Sequence, residues 1–149
     1  MNIINKIIQQ LTIALNGAFI GAMILIALVL VPFWRTSESQ VFLDWFTTYS
    51  GSIDSLMFPL GPGVMVLAIL AFFLSKENRV LWVFTIILIF ANILYYLIYF
   101  LPTNTSFKEQ TIAINEVSGE LTIWLRYHWQ RIFFALGALI TSIMAVFRK

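Results

Sequence analysis

Four apolar stretches, at about residues 7–33, 53–74, 80–101 and 119–147, decide what this chain can fold into. Each reaches or exceeds the ~20 residues that a helix needs to cross a ~30 Å hydrocarbon layer. Lipid offers the backbone no hydrogen bonds, so a crossing segment must satisfy its own N–H and C=O groups, as a helix does. The period-2 alternation of a membrane barrel is absent. Composition agrees: 60% of residues are hydrophobic, 11% are charged and the mean hydropathy is +0.90, against ~25% charged residues in a soluble domain. The expected fold is all-α, a four-transmembrane-helix bundle forming a single integral membrane domain over residues 1–149. The first stretch is too long for a signal-peptide core and no small-residue cleavage site follows it, so it reads as a retained helix.

The same residues remove whole classes of chemistry. There is no cysteine, which excludes disulfides, thiolate metal sites and a cysteine nucleophile. The net charge is only +2 and no basic run occurs, so nucleic acid is not an expected partner. The partners this composition fits are the lipid bilayer, an apolar small molecule and a second copy of the chain in a homo-oligomer.

The connections are unequal. A short SKENR turn, with Lys76 and Arg79, joins the second and third segments. The other two, about 34–52 and 102–118, are longer and fall together at the opposite end of a four-span bundle. Lysine and arginine numbers narrowly favour both termini in the cytoplasm, which suits a bacterial inner membrane. In the first long connection, Phe42, Trp45, Phe46 and Tyr49 recur at i, i+3, i+4 and i+7, and Ser37 with Gln40 suits a capping box. This predicts a short interfacial amphipathic helix in the first outer loop, acting as an aromatic belt anchor or as a cover over a pocket.

Within the spans, Gly17 and Gly21 stand four apart beside Ala14, Ala18 and Ala22, a pattern that lets helices approach closely. Asn16 is an amide at membrane depth, for which a neighbouring helix must supply partners. Pro59 and Pro62, in MFPLGPG, predict a kink or break. On the third segment Asn92, Tyr95 or Tyr96, and Tyr99 share a face that leads to LPTN, where Pro102 is expected to stop the helix. Tyrosines at this depth also suit an interfacial belt, whereas Asn92 lies too deep for one.

The fourth segment gathers the polar chemistry. Ser118 is the expected N-cap. Glu120, Trp124, His128 and Arg131 then recur at spacings of four, four and three, on one helix face. From Ile132 to Phe147 the helix rises ~24 Å. Arg131 therefore sits near the edge of the hydrocarbon, with His128 and Trp124 further out. Each residue alone also suits a bland role: arginine snorkelling to headgroups, tryptophan in a belt, histidine in water. As one face they suit proton transfer and charge stabilisation. His128 can accept a proton near neutral pH, Arg131 can stabilise the oxyanion left behind, and Trp124 offers a flat face to an aromatic substrate. One histidine and no cysteine argue against zinc or copper. Motifs for haem attachment or a serine nucleophile are missing, so no cofactor and no metal are expected.

Four spans, a glycine-bearing first helix, Pro102 and Asn104 in a P-x-N motif, and Trp124, His128 and Arg131 in W-x-x-x-H-x-x-R together resemble the anthrone oxygenase-like family of small four-helix membrane proteins. The resemblance implies oxidation of an anthrone- or quinol-like aromatic by molecular oxygen without a conventional redox cofactor. It implies His128 as the base, Arg131 and Asn104 as holders of the enolate oxygen, and Trp124 stacked on the ring. Asn92, Tyr96 and Tyr99 are further candidates for contact with the substrate. The rival reading is a non-enzymatic quinone- or lipid-binding accessory protein. An enclosed, ring-sized cavity between His128 and the third helix favours the enzyme, and a shallow groove at headgroup level favours binding.

Overall fold

The computed structural model describes residues 3–75 and 77–148. Lys76 and Lys149, two of the cations expected at the short-turn end, lie outside the described residues. Four helices long and apolar enough to cross a membrane account for most of the chain: α1 (Ile3–Thr36), α2 (Ser39–Leu74), α3 (Arg79–Lys108) and α4 (Val117–Phe147). Each packs chiefly on its neighbours in the order α1–α2–α3–α4, and α4 closes the ring onto α1. This is an up-and-down four-helix bundle. Its interior combines small side chains with large aromatic ones. Val64, Ile89 and Ala138 join α2, α3 and α4 in one layer, and Ala71, Trp82 and Ala145 join them in another. Large side chains such as Leu28, Phe73, Phe84, Ile98 and Phe133 are exposed on the outside, as a bilayer requires.

Much of the two connections expected to be long is helix. Residues 37–38 alone link α1 to α2, and residues 109–116 link α3 to α4. The aromatic segment read as an interfacial helix forms the first turns of α2 and runs unbroken into the second span. Phe42 and Phe46 turn inward, while Trp45 and Tyr49 pair outside them with ring centroids 5.3 Å apart. The capping box does not form. Ser37 Oγ donates to the Phe33 carbonyl at 2.9 Å, and Gln40 Nε2 donates to Asp44 Oδ1 at 2.9 Å. Ser118 likewise lies inside α4, which begins at Val117.

Neither Pro32 nor Pro102 ends its helix. Each follows a π-helical turn, Ile26–Leu30 in α1 and Tyr96–Phe100 in α3. Val31 N–H and Leu101 N–H reach back five residues, to Ile26 and Tyr96. A π turn widens the helix by one residue. The loosened backbone accommodates the missing proline donor and the ring that would clash in a regular turn. Pro59 and Pro62 are also absorbed, and α2 is helical through both. The glycines beside them serve close approach: a Cβ at Gly63 would stand 3.0 Å from Leu15 Cδ2, and one at Gly61 would stand 3.4 Å from Phe19 Cζ. The GAFIG stripe behaves differently from its expected packing role. Ala14, Gly17, Ala18 and Gly21 are exposed, with open space where a Cβ would stand on either glycine. Phe19, Ile20 and Met23 carry the contact of α1 with α4 instead.

Polar ties hold the terminal end, where α1 begins and α4 ends. Gln9 Nε2 donates to Asn5 Oδ1 at 3.1 Å and to Ser75 Oγ at 2.7 Å. Asn78 takes a left-handed φ of 57°, which asparagine tolerates, and its amide donates to the carbonyls of Ala145 and Arg148. At the other end Gln110 Nε2 donates to Asp44 Oδ1 at 3.0 Å and Thr47 Oγ1 donates to the Lys108 carbonyl at 2.8 Å, so α2 clasps the 109–116 connection.

Candidate functional site

Trp124, His128 and Arg131 are all buried on the inner face of α4, with relative exposures of 5%, 1% and 7%. The imidazole of His128 lies flat on the Trp124 indole, ring centroids 4.7 Å apart at 17°. The Trp124 face expected to receive a substrate is therefore partly taken, because a spacing of four on a helix stacks the two rings on each other. Trp34 and Phe100 meet Trp124 edge-on at 5.7 and 5.0 Å, and Asn104 Oδ1 accepts a 2.9 Å bond from Trp124 Nε1. The P-x-N and W-x-x-x-H motifs thus meet in space, with Asn104 orienting the tryptophan that backs the histidine.

His128 Nε2 lies 2.9 Å from the Met23 carbonyl oxygen of α1. A carbonyl only accepts, so Nε2 carries the hydrogen and a neutral ring keeps its lone pair on Nδ1. Nδ1 is buried and has no partner.

Arg131 is held by its Nε, which donates to Asn92 Oδ1 at 3.2 Å, while Asn92 Nδ2 returns a 2.8 Å bond to the Arg131 carbonyl. Both ends of the Asn92 amide are spent on the arginine, which makes Asn92 a positioning group. The guanidinium lies over the Phe100 ring at 4.6 Å and the Tyr96 ring at 5.6 Å, contacts that attract a cation. No carboxylate pairs with it among the described residues, and its terminal nitrogens donate to no protein group. A buried cation without a carboxylate partner is costly, and here Asn92 and two aromatic faces are what offset it. His128 and Arg131 converge on one ring: the His128 centroid is 6.0 Å from that of Phe100.

These residues border a cavity of about 130 Å³. Asn92, Tyr96, Phe100 and Asn104 of α3 line it, spaced by four across the π turn, opposite Phe46, Ser50, Asp54 and Met57 of α2. Phe19, Ile26 and Trp34 of α1 complete the wall. The space compares with that of an engineered ~150 Å³ apolar cavity that takes up benzene. Toward the connection end it is closed by Trp34, Phe42, Phe46 and Phe107, none more than 3% exposed. On the side it reaches the outer surface between α2 and α3, where the lining residues Phe58, Pro62 and Leu97 are themselves exposed. The opening therefore faces the apolar flank of the bundle, and the site is roofed by helical aromatic side chains where long connections were expected.

Of the residues singled out in the sequence, the structure brings His128, Arg131, Trp124, Asn104, Asn92 and Tyr96 to this cavity. Tyr99 turns away from it. Its hydroxyl donates to Glu120 Oε1 at 2.6 Å and its ring packs on Tyr127 at 4.5 Å, because positions 95 and 99 fall on the face toward α4 while 92, 96, 100 and 104 look inward. Glu120 is spent on the same bond. Asn16 finds one interhelical partner, the Ala135 carbonyl at 3.2 Å, and does not line this cavity. Sequence reasoning missed Trp34, Ser50 and Asp54. Ser50 and Asp54 do share an i, i+4 face with the inward Phe46, a signal present in the pattern. Among the described residues no three His, Asp or Glu side chains converge as metal ligands would. No family model, curated protein or solved structure matches the chain.

Proposed function

We propose that the cavity takes an oxygenated aromatic ring from the bilayer and that His128 removes its proton, in an oxidation by molecular oxygen of the anthrone oxygenase kind. The observation that carries this reading is the unpartnered Nδ1 of His128, a buried lone pair beside an arginine with free terminal nitrogens. A base held in its neutral tautomer by a backbone carbonyl needs no rearrangement before it accepts a proton. The Arg131 guanidinium then stands where negative charge develops on the ring oxygen, in a site with little water to weaken the attraction. Asn104, whose Nδ2 makes no hydrogen bond, is the second donor.

For an anthrone the balance closes with oxygen as the oxidant. The methylene carbon gives its first proton to Nδ1, and the enolate passes its electrons to O2 and forms a carbon–oxygen bond. Loss of water, with the second methylene hydrogen, leaves the quinone carbonyl. One oxygen atom ends in the product and the other in water. The closed space holds about one ring, so the rest of a larger substrate lies along the lateral mouth at Phe58 and Leu97. In the orientation favoured by Lys6, Arg79 and Arg148, both termini face the cytoplasm of a bacterial inner membrane and the cavity sits in the outer half of the bilayer.

The test is oxygen uptake with anthrone in proteoliposomes, product being followed as anthraquinone. His128→Gln is expected to lower turnover by about 10²–10⁴-fold with the helical fold intact. Full turnover in that variant, or none in the native protein, removes the assignment. The lateral mouth also suits a non-enzymatic quinone- or lipid-binding protein. That reading expects ring binding without oxygen uptake.

A further inference from the structure

We infer that the cavity carries a second polar anchor, formed by Trp34 and Ser50, and that its ligand is therefore an aromatic ring bearing neutral oxygen at two positions. The inference rests on the reading above only in seating a ring in the cavity. Trp34 Nε1 and Ser50 Oγ are buried and have no hydrogen-bond partner, in residues 2% and 4% exposed. Both line the cavity that His128 lines. Trp34 packs on Phe46, ring centroids 5.7 Å apart, and Ser50 follows Phe46 by one turn of α2, so both residues adjoin Phe46 in the wall of the cavity.

Ser50 leaves unused a bond that two residues of its own helix make. Thr48 and Ser55, on either side, donate to the carbonyl four residues back, to Asp44 at 2.9 Å and Gly51 at 2.8 Å. A helical serine ordinarily has that bond available, yet Ser50 does not make it. Trp124 gives a parallel contrast, since its indole N–H is satisfied by Asn104 while that of Trp34 is not. An indole nitrogen only donates and a hydroxyl donates readily, so the missing partner is an acceptor oxygen. Asp54, one turn beyond Ser50 and also in the wall, repels an acidic group there. The second function is thus a hydroxyl or carbonyl oxygen, not a carboxylate or phosphate. Phe19, Phe46 and Met57 supply apolar surface between the anchors.

The experiment compares rings of equal size. The dissociation constants of hydroquinone, resorcinol and catechol are each measured against that of 4-methylphenol, in which a methyl replaces one hydroxyl. Calorimetry on the detergent-solubilised protein reads native, Ser50→Ala and Trp34→Phe forms, and helical thermal unfolding reports their fold. At least one dihydroxybenzene is expected to gain over 4-methylphenol in the native protein. Each substitution should cut that ratio by about five- to tenfold, the worth of one buried hydrogen bond, while 4-methylphenol keeps its affinity. If Trp34→Phe does not fold, Ser50→Ala, which removes a single oxygen, decides. Ratios unchanged by substitution overturn the second anchor. If 4-methylphenol still binds and anthrone turnover still depends on His128, the anchor fails alone. Binding of none of the four rings overturns both the anchor and the function proposed above.

Discussion

The two ends of the bundle treat buried polar groups in opposite ways. At the terminal end Gln9, Asn5 and Ser75 close a network on one another, and Thr85 and Thr141 share a 2.8 Å bond. At the connection end His128 Nδ1, Trp34 Nε1 and Ser50 Oγ have no partner, and the three residues line one cavity. Trp82 Nε1 and Asn16 Oδ1 also lack partners, but neither residue borders the cavity. On the proposed function, the difference separates polarity that fastens helices from polarity that meets a ligand. A closed network contributes to stability because breaking it strands a buried group. An open one lowers stability and is retained where a ligand completes it.

Substitution at each end breaks this contrast or sharpens it. The largest effect is expected from Arg131→Leu. If the proposed function holds, loss of the guanidinium should reduce anthrone turnover by about 10²–10³-fold, the usual cost of removing a donor to a developing oxyanion. Thermal stability should change little, because removing a buried cation that lacks a carboxylate offsets the bond lost by the buried Asn92 Oδ1. Gln9→Leu should do the reverse. It removes two of the three bonds of the network, leaving the 3.3 Å bond from Ser75 Oγ to Asn5 Oδ1, and should cost about 1–3 kcal/mol of stability, read by denaturant or thermal unfolding in detergent, with turnover unchanged. An Arg131→Leu protein that unfolds more easily than Gln9→Leu would show that the guanidinium belongs with the fasteners.

How much of this was legible in advance follows from the same contrast. The four spans were plain because apolar length is a property of a stretch and needs no partner. The W-x-x-x-H-x-x-R face was plain because spacing on one helix fixes it. The partners on other helices were not. Tyr96 and Tyr99 look equivalent on the third span, and only packing sends one to the cavity and the other to Glu120. Pro102 read as a stop because a regular helix cannot hold it, and no local signal announced the π turn that does. The long connections proved helical because aromatic side chains fasten them to the bundle. Ser50 and Trp34 were passed over because an unmet hydrogen bond is visible only in three dimensions.

The lateral mouth ranks next. Leu97 borders it and is 51% exposed, whereas Ile98, the next residue, is 73% exposed and does not line the cavity. Leu97→Trp should slow the uptake of anthrone from liposomes several-fold by narrowing the mouth, with Ile98→Trp as the matched control facing lipid. Equal rates in the two variants would mean that the ring arrives by another path, through the aromatic roof at Phe42 and Phe107.

The smallest effects concern two kinds of glycine. Gly17 looks outward with no atom within 4 Å of an added Cβ, while at Gly63 the added atom meets Leu15 Cδ2 at 3.0 Å. Gly17→Ala should therefore gain up to about 1 kcal/mol of helix preference. Gly63→Ala should gain less or lose, since the tip of a flexible leucine must shift to admit it. Unfolding of both variants in the same detergent gives the difference directly. A Gly17→Ala protein less stable than Gly63→Ala would mean that the Ala14–Gly21 stripe is covered after all. A second copy of the chain would then be the first partner to seek, since small residues four apart are what close helix pairing needs.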